Sequence, residues 1–241
     1  MDAKTARHLN ELNTQFYSRV HDSFSATRQA PWPGWESVLN VAREAGALSD
    51  THRLRILDLA CGNLRFERFL ASCGMRFEAW CADNCPELVP SKTEPCVRLQ
   101  ALDIVDTPLR EEDLTSAIEA PDCDLCVCFG FMHHLAMPEH RQLILETLLN
   151  KARPGGVVAV SFWQFAKSPR IMAKAKQLKD PGDYMLGWQN EADVQRYCHS
   201  FFEDEINELA VSVAECAREI ARFSADGKTN DLNRYLVLRR T

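Results

Sequence analysis

The chain has 241 residues, 46% of them hydrophobic and 26% charged, an ordinary globular composition that allows a sizeable buried core. Its net charge of −6 gives no general attraction to nucleic acid, so any RNA binding would depend on a local basic patch. The polar N-terminus does not have the pattern of a secretion signal, and no apolar run approaches the roughly 20 residues of a membrane span. These features predict a cytoplasmic protein without a membrane partner.

Short apolar runs alternate with helical patterns through the middle of the chain, which predicts a parallel sheet covered by helices on both faces. The predicted strands are residues 55–60, 76–83, 97–103, 123–129 and 156–162. Between the last two, Pro138 is placed as a first-turn proline and Gly155–Gly156 are expected to stop the helix. Its predicted apolar face consists of Leu143, Ile144, Leu148 and Leu149.

The segment 163–180 carries five basic residues and one acid, Asp180. Ser168–Pro169 predicts the start of a helix there, and Pro181–Gly182 its end. Such a basic helix could contact RNA phosphates or could be a solvated helix face. The basic residues are Lys167, Arg170, Lys174, Lys176 and Lys179. Further along, residues 217–223 and 234–240 predict a closing hairpin.

The ten cysteines raise the question of disulfides or a metal. Cys81, Cys126 and Cys128 fall inside apolar strand-like runs, where a free cysteine behaves as a small hydrophobic residue. Cys123, Cys126 and Cys128 have no second ligand pair at zinc-site spacing. Reduced core thiols and no metal are therefore expected.

Acidic residues recur at the ends of three successive predicted strands: Asp58, Asp83 and Asp103. Ligands of open α/β sheets bind outside the carboxyl ends of the strands, and an acid about 20 residues beyond a glycine turn can bind ribose hydroxyls. Gly62 and Asp83 are 21 positions apart. Aspartate is also common where strands enter turns, but three in register after a glycine turn favour a nucleoside site.

A dinucleotide site would need glycines spaced G-x-G-x-x-G around a pyrophosphate. Here only Gly62 remains, and a bulky helix begins at Leu64. A cofactor without phosphate, such as S-adenosylmethionine, needs only close approach of the backbone. Leu64 is predicted to turn its side chain away from the cofactor into the helix packing.

Asp58 and Gly62 match the pattern D-x-G-x-G-x-G, in which Ala60 and Leu64 replace the outer glycines. With KARPGGVVAV (151–160) and the closing hairpin, the chain resembles the class I S-adenosylmethionine-dependent methyltransferases over roughly residues 50–165. The resemblance implies a Rossmann-like fold: a seven-stranded, mostly parallel sheet with helices on both faces and a C-terminal antiparallel hairpin. The residues it implies for cofactor binding are Tyr17, Asp58, Ala60, Gly62, Asp83, Asn84, Asp103, Ile104, Phe129 and Gly130.

In that family the acid matched by Asp83 binds the ribose hydroxyls, and the acid matched by Asp103 binds the adenine amino group. The backbone amide matched by Ile104 contacts the adenine ring. Phe129–Gly130 would line the methionine end.

A narrower resemblance rests on four segments, YSRVHDSFSATRQAPWP (17–33), FMHHL (131–135), SFWQF (161–165) and RYCHSF (196–201). Together they are similar to the tRNA wobble-uridine methyltransferases that esterify 5-carboxymethyluridine. This resemblance implies a tRNA substrate and a small activating partner protein.

Three residues are the candidates for acceptor binding and catalysis. Arg28 has the planar fork of donors that orients a carboxylate, although it could equally be a surface arginine. His133, favoured over His134, could hydrogen-bond the acceptor or act as a base, or could simply pack in a loop. Trp163 could stack on a base or be a core aromatic residue, and Trp32 between two prolines could form a lid.

The sequence therefore predicts one methyltransferase domain over residues 1–241. Its expected parts are an N-terminal helical cap and strap (1–50), a cofactor-binding core (51–162), a substrate-side insertion (163–215) and closing strands (216–241). Two other functions remain open. The chain could be a small-molecule carboxyl, N- or O-methyltransferase, or a non-catalytic Rossmann-like binding protein.

Overall fold

The computed structural model describes residues 1–49, 52–90, 93, 96–189 and 191–241. The boundary predicted between residues 50 and 51 lies outside this part of the chain. The helices in the described part are α1 (Ala3–Ala26), α2 (Pro33–Glu44), α3 (Arg65–Ser72), α4 (Asp106–Leu109), α5 (Leu114–Ala117), α6 (Pro138–Lys151), α7 (Pro169–Met172) and α8 (Glu203–Ser212). Short 3-10 turns cover Pro86–Leu88, Met132–His134 and Phe165–Lys167.

The strands form two sheets in the described residues. They are β1 (Leu54–Leu59), β2 (Phe77–Asp83), β3 (Val97–Ala101), β4 (Cys123–Cys128), β5 (Ala152–Trp163), β6 (Ala175–Gln177), β7 (Asp183–Trp188), β8 (Glu191–His199), β9 (Ala217–Ala225) and β10 (Asn233–Arg240). The large sheet has the order β3-β2-β1-β4-β5-β10-β9, and the small sheet has the order β6-β7-β8. The first five strands of the large sheet run parallel, and β10 is antiparallel to both of its neighbours. This confirms the predicted fold class and the closing hairpin.

Alternate residues of the central strands enter two separate cores, one on each face of the sheet. Leu57 and Cys126 pack with α6 and α8 on one face, whereas Ile56 and Val127 pack with α2 and α3 on the other. Burial on both faces explains why these strands read as continuous apolar runs. Cys81, Cys126 and Cys128 are buried in these cores, as predicted for cysteines that act as small hydrophobic residues.

The strand order reverses direction at β1, because the chain moves to β2 and β3 on one side and returns to β4 on the other. At such a switch point the loops after neighbouring strands separate and leave a crevice at their carboxyl ends. α1 covers this crevice, since it packs on β8 of the small sheet through Phe16, Val20 and Val194.

Two local predictions were wrong. The basic segment is not a single helix: α7 ends at Met172, and β6 begins at Ala175 and pairs antiparallel with β7. Gly155–Gly156 do not stop α6, which ends at Lys151. The glycines lie within β5, where the pairing jumps from Cys123↔Ala152 to Leu125↔Val157, and the positive φ of Gly155 (74°) accommodates that irregularity.

No helix in the described part of the chain is long and apolar enough to cross a membrane.

Candidate active site

A cavity of about 700 Å³ lies at the carboxyl ends of β1, β2 and β4. It lies beneath α1 and the segment 27–32 that joins α1 to α2, which we call the Trp32 strap. It brings together every residue that the sequence singled out for cofactor or acceptor binding. The ten predicted cofactor residues line it, and so do Arg28, His133 and Trp163. The predicted site residues, which are spread along the sequence from Tyr17 to Trp163, thus converge on one site. Their individual roles stay predictions.

The turn after β1 has a left-handed backbone at three alternate residues. φ is +61° at Ala60, +54° at Gly62 and +56° at Leu64. A Cβ placed on Gly62 would meet no atom within 4 Å. A side chain at this position would therefore project into open space. Leu64 is 3% exposed, packs in the α2/α3 core and is not among the residues that line the cavity, as predicted.

Asp83 closes this turn from β2. Its Oδ2 accepts a 2.8 Å hydrogen bond from the backbone amide of Gly62, and its Oδ1 accepts one of the same length from Cys85. Burial raises the pKa of the Asp83 carboxyl above its ordinary value, although these amides act in the opposite direction. The backbone amide of Asn84 acts in the same direction as those of Gly62 and Cys85. A carboxylate offers about four lone-pair sites, so Asp83 can still accept from a hydroxyl.

Asp103 is more heavily used than Asp83. Its Oδ1 accepts from the amides of Val105 and Asp106, and its Oδ2 accepts from the side chains of Asn10 and Asn84 at 3.1 and 3.0 Å. The carboxylate therefore orders the loop before α4 and ties α1 to the strand ends. An adenine amino group would have to share these oxygens with Asn10 or Asn84.

Asp58 lies at the floor of the cavity against a second buried carboxyl, Glu67 of α3. Burial raises the pKa of Asp58 well above its ordinary value, and the nearby Glu67 charge raises it further. Burial likewise raises the pKa of Glu67. The two carboxyls favour a shared proton over two adjacent negative charges.

The Trp32 strap lies against the end of β4. A Cβ on Gly130 would approach Cη2 of Trp32 to 2.9 Å, and the Gly130 amide donates to Oγ of Ser161 at 2.9 Å. Because φ of Gly130 is +70°, both the backbone and the indole favour glycine at this position.

Both histidines after β4 are buried and neutral. Nδ1 of His134 lies 3.1 Å from both the carbonyl of Tyr197 and Nδ2 of Asn13. In the tautomer that donates Nδ1–H to that carbonyl, Nε2 accepts from Oη of Tyr17 at 2.8 Å. Burial lowers the pKa of His134 to about 3 and that of His133 well below its ordinary value. Nδ1 of His133 has no partner in the described chain, and its ring contacts Trp163 edge-on.

Two arginines line the cavity beside Phe24 and Trp188. Arg28 lies 3.7 Å above the ring centroid of Phe24, and its Nη1 donates to Thr27. Arg196, from β8, is only 5% exposed and donates from Nη1 to Oη of Tyr17 at 3.2 Å. Neither makes an ion pair with an acid in the described residues.

His133, His134 and Cys198 place possible metal-ligating atoms within 4.8 Å of one another. Both nitrogens of His134 already make hydrogen bonds, and the Arg196 guanidinium interacts with Cys198. This cation opposes the binding of a metal ion at the cluster.

The chain is similar to known tRNA methyltransferases. It is 25% identical over 183 residues to the tRNA (carboxymethyluridine(34)-5-O)-methyltransferase ALKBH8 of Macaca fascicularis, covering 74% of this chain and 24% of that protein. It is 28% identical over 157 residues to the enzyme of the same activity from Arabidopsis thaliana, covering 64% of this chain and 34% of that one. The chain thus spans about a quarter to a third of the length of these relatives. No family model matches it.

Among solved structures, the N-methyltransferase NodS of Bradyrhizobium japonicum bound to S-adenosyl-L-homocysteine superposes with a TM-score of 0.60. The match covers 94% of this chain and 97% of NodS at 16% identity. The fold is that of the S-adenosylmethionine-dependent methyltransferases.

The cavity of this methyltransferase fold suits S-adenosylmethionine on its own geometry. Gly62 leaves open space where a side chain would project, and Asp83 beside it retains acceptor capacity.

Residue-by-residue reading of the sequence missed Asn10, Asn13 and Arg196, all of which line the cavity. A signal for the asparagines was present: Asn10, Asn13 and Tyr17 recur at helical spacing, so these polar residues share one face of α1. Arg196 has no such local signal, because only the pairing of β8 with β7 and its packing on α1 carry it to the cavity.

Proposed function

We propose that the protein transfers a methyl group from S-adenosylmethionine to the carboxylate of a 5-carboxymethylated uridine in tRNA. One observation carries this proposal. A single cavity joins the Gly62–Asp83 turn to Arg28, a guanidinium without an acid partner in the described chain. The names of the similar proteins supply the nucleoside and the RNA.

The residues that would hold the cofactor are on three strand ends. Asp83 would accept from ribose hydroxyls, Gly62 would permit close backbone approach, and Phe129–Gly130 under Trp32 would enclose the methionine end. When bound, S-adenosylmethionine would supply an electrophilic methyl group. A carboxylate oxygen of the acceptor would form the new C–O bond as the methyl–sulfur bond breaks, and the electron pair of the broken bond would stay on sulfur. No proton would move.

A carboxylate acceptor fits the chemistry of this site. A carboxylate is already ionised at neutral pH, so it needs no general base. The two histidines nearest the acceptor end are neutral and weakly basic, since burial lowers their pKa values. Catalysis would then rest on alignment by Arg28 and on exclusion of water by α1 and the Trp32 strap.

The tRNA part of the proposal has a second support in the charge of the segment 167–179. Its five basic side chains are all exposed, and Arg170 also lines the cavity. An exposed basic surface at the mouth of a site is suited to phosphates even though the whole chain is acidic. By resemblance the proposal extends to a cytoplasmic location, a small activating partner protein and a substrate-side role for residues 163–215.

The test uses labelled S-adenosylmethionine with tRNA that carries 5-carboxymethyluridine, beside a pool of small carboxylic acids. The proposal expects label in the tRNA and its release by mild base, because the product is an ester. Label confined to the small acids would favour a small-molecule methyltransferase. Calorimetry showing no binding of S-adenosylmethionine would instead favour a non-catalytic protein and would end the enzyme hypothesis.

A further inference from the structure

We propose that Arg196 and Arg28 form a two-arginine clamp for the acceptor's carboxylate, which makes Arg196 a specificity-determining residue that selects an acid over its neutral amide. The inference rests on the proposed function for the identity of the acceptor. It assigns the recognition of the acceptor's charge to a residue from the small sheet.

Arg196 is buried without a neutralising partner. Its side chain lines the cavity at 5% exposure, its Nη1 donates to Tyr17 at 3.2 Å, and its Nε has no hydrogen-bond partner in the described chain. Its remaining polar contact is with Cys198. No carboxylate among the described residues forms an ion pair with it, whereas buried charges in proteins are ordinarily paired.

Aromatic rings enclose the guanidinium. The centroids of five rings lie 4.8 to 5.9 Å from Cζ of Arg196, and they belong to Phe16, Tyr17, Phe24, Trp163 and Trp188. This wall excludes water and stabilises a planar cation through the ring faces. It also strengthens the attraction between the guanidinium and any anion that enters.

Arg28 shares this enclosure. Its Cζ lies 3.7 Å from the centroid of Phe24 and 5.2 Å from that of Trp188, two of the rings that surround Arg196. Burial, together with the charge of Arg196, lowers the pKa of Arg28 to about 10. Two desolvated like charges at one end of a cavity repel each other, and an anion bound between them would remove that penalty.

A carboxylate fits this position better than an RNA phosphate. Arg196 lies deep beneath α1, whereas the basic residues suited to the RNA backbone are exposed at 167–179. The donor forks of two arginines match a planar carboxylate. Tyr17 helps to fix the direction of the Arg196 fork, since its hydroxyl accepts from Nη1 while it donates to His134.

The decisive experiment measures binding rather than turnover. The nucleosides 5-carboxymethyluridine and 5-carbamoylmethyluridine are titrated by calorimetry into the protein saturated with S-adenosyl-L-homocysteine. The wild type should prefer the acid by about tenfold or more, and Arg196→Gln should reduce affinity for the acid by about 100-fold while leaving the amide little changed. Arg196→Lys, which keeps the charge but not the fork, should give an intermediate loss.

The matched control is Arg43→Gln, an exposed arginine on α2 that contacts Asn40. It should bind both nucleosides as the wild type does. Affinity for S-adenosyl-L-homocysteine reports on whether each variant is folded. If Arg196→Gln no longer binds S-adenosyl-L-homocysteine, the test is made with Arg196→Lys. Loss of cofactor affinity in both variants would assign Arg196 a structural role and overturn the clamp.

Other results would also overturn it. These are equal binding of acid and amide by the wild type, an unchanged preference in the Arg196 variants, or displacement of the acid by inorganic phosphate at comparable concentration. Failure of the proposed function gives a different result. A wild type that labels no tRNA, yet binds acids over amides in an Arg196-dependent way, retains the clamp but loses the RNA substrate.

Discussion

The backbone amide of Gly62 donates a 2.8 Å hydrogen bond to Oδ2 of Asp83, which joins the turn after β1 to the end of β2. Replacing Asp83 with Asn keeps the size of the side chain but removes a charged acceptor. Because hydrogen bonds to charged groups contribute about 1.5–3 kcal/mol, affinity for S-adenosyl-L-homocysteine should fall about 10- to 100-fold. Calorimetry measures this change, with the exposed Asp122→Asn as the control. Unchanged affinity would limit Asp83 to holding the turn.

The turn itself can be tested at Leu64. Leu64→Gly relieves a left-handed residue, worth about 1 kcal/mol, but removes a buried side chain whose loss costs about 2–5 kcal/mol. The free energy of unfolding should therefore fall by about 1–4 kcal/mol in urea. Cofactor affinity of the folded variant should change by no more than about twofold, since Leu64 does not line the cavity. A large loss of affinity at full stability would contradict this packing role.

Ala60 differs from Leu64 because its side chain is small. Its φ of +61° favours glycine, so Ala60→Gly should leave stability unchanged or raise it by up to about 1 kcal/mol. The same urea titration measures this. A clear loss of stability would show that the methyl group of Ala60 contributes more packing than its backbone costs.

The pH dependence of turnover tests the proposed carboxylate acceptor. Burial lowers the pKa of His134 to about 3 and that of His133 well below its ordinary value, so neither imidazole should change charge between pH 5.5 and 8. We expect kcat/KM to show no histidine step in this range with a 5-carboxymethyluridine substrate. A step near pH 6.5 that disappears in His133→Gln would show that His133 acts as a base.

The buried acids Asp58 and Glu67 should make stability depend on pH. Because burial raises the pKa of both groups, the folded state binds their protons more tightly than the unfolded state does. Their contribution to stability is thus fully present below their unfolded pKa values and is lost as pH rises through the folded ones. Glu67→Gln removes one of these groups, so its free energy of unfolding, relative to wild type, should increase from pH 5 to pH 8.

The comparison is best made by urea unfolding at several pH values, with the exposed Glu208→Gln as a control that should follow the wild type. A difference between Glu67→Gln and wild type that stays constant with pH would show that the pair does not titrate. If the free energy of unfolding of Glu67→Gln minus that of wild type became more negative as pH rises, the pKa of this carboxyl would be lowered in the folded state, contrary to the argument.

How far the sequence predicts this site depends on how local each signal is. The β1 turn was predictable because an apolar run, an aspartate and a glycine lie within a few residues, and Leu64 had the hydrophobic character of a core residue. Strand β6 was not predictable, because it forms only by pairing with β7. The local sequence Ser168–Pro169 favours a helix instead. The role of Arg196 depends on a partner 179 residues away, Tyr17, and no window of sequence contains both.

The basic segment provides the last prediction, which concerns RNA alone. Lys174 and Lys176 are exposed, and Lys176 lies on β6 opposite Met185. If these lysines contact phosphates, changing either to Gln should weaken the binding of every tRNA, whatever its sequence. The plot of log K against the logarithm of the salt concentration should also become less steep by about 1. Affinity for the 5-carboxymethyluridine nucleoside should not change, since neither lysine lines the cavity. Filter binding at several salt concentrations measures the slope, with the exposed Lys4→Gln on α1 as control. An unchanged slope in the Lys174→Gln/Lys176→Gln double variant would mean that these lysines form a solvated surface and that tRNA approaches the cavity from another side.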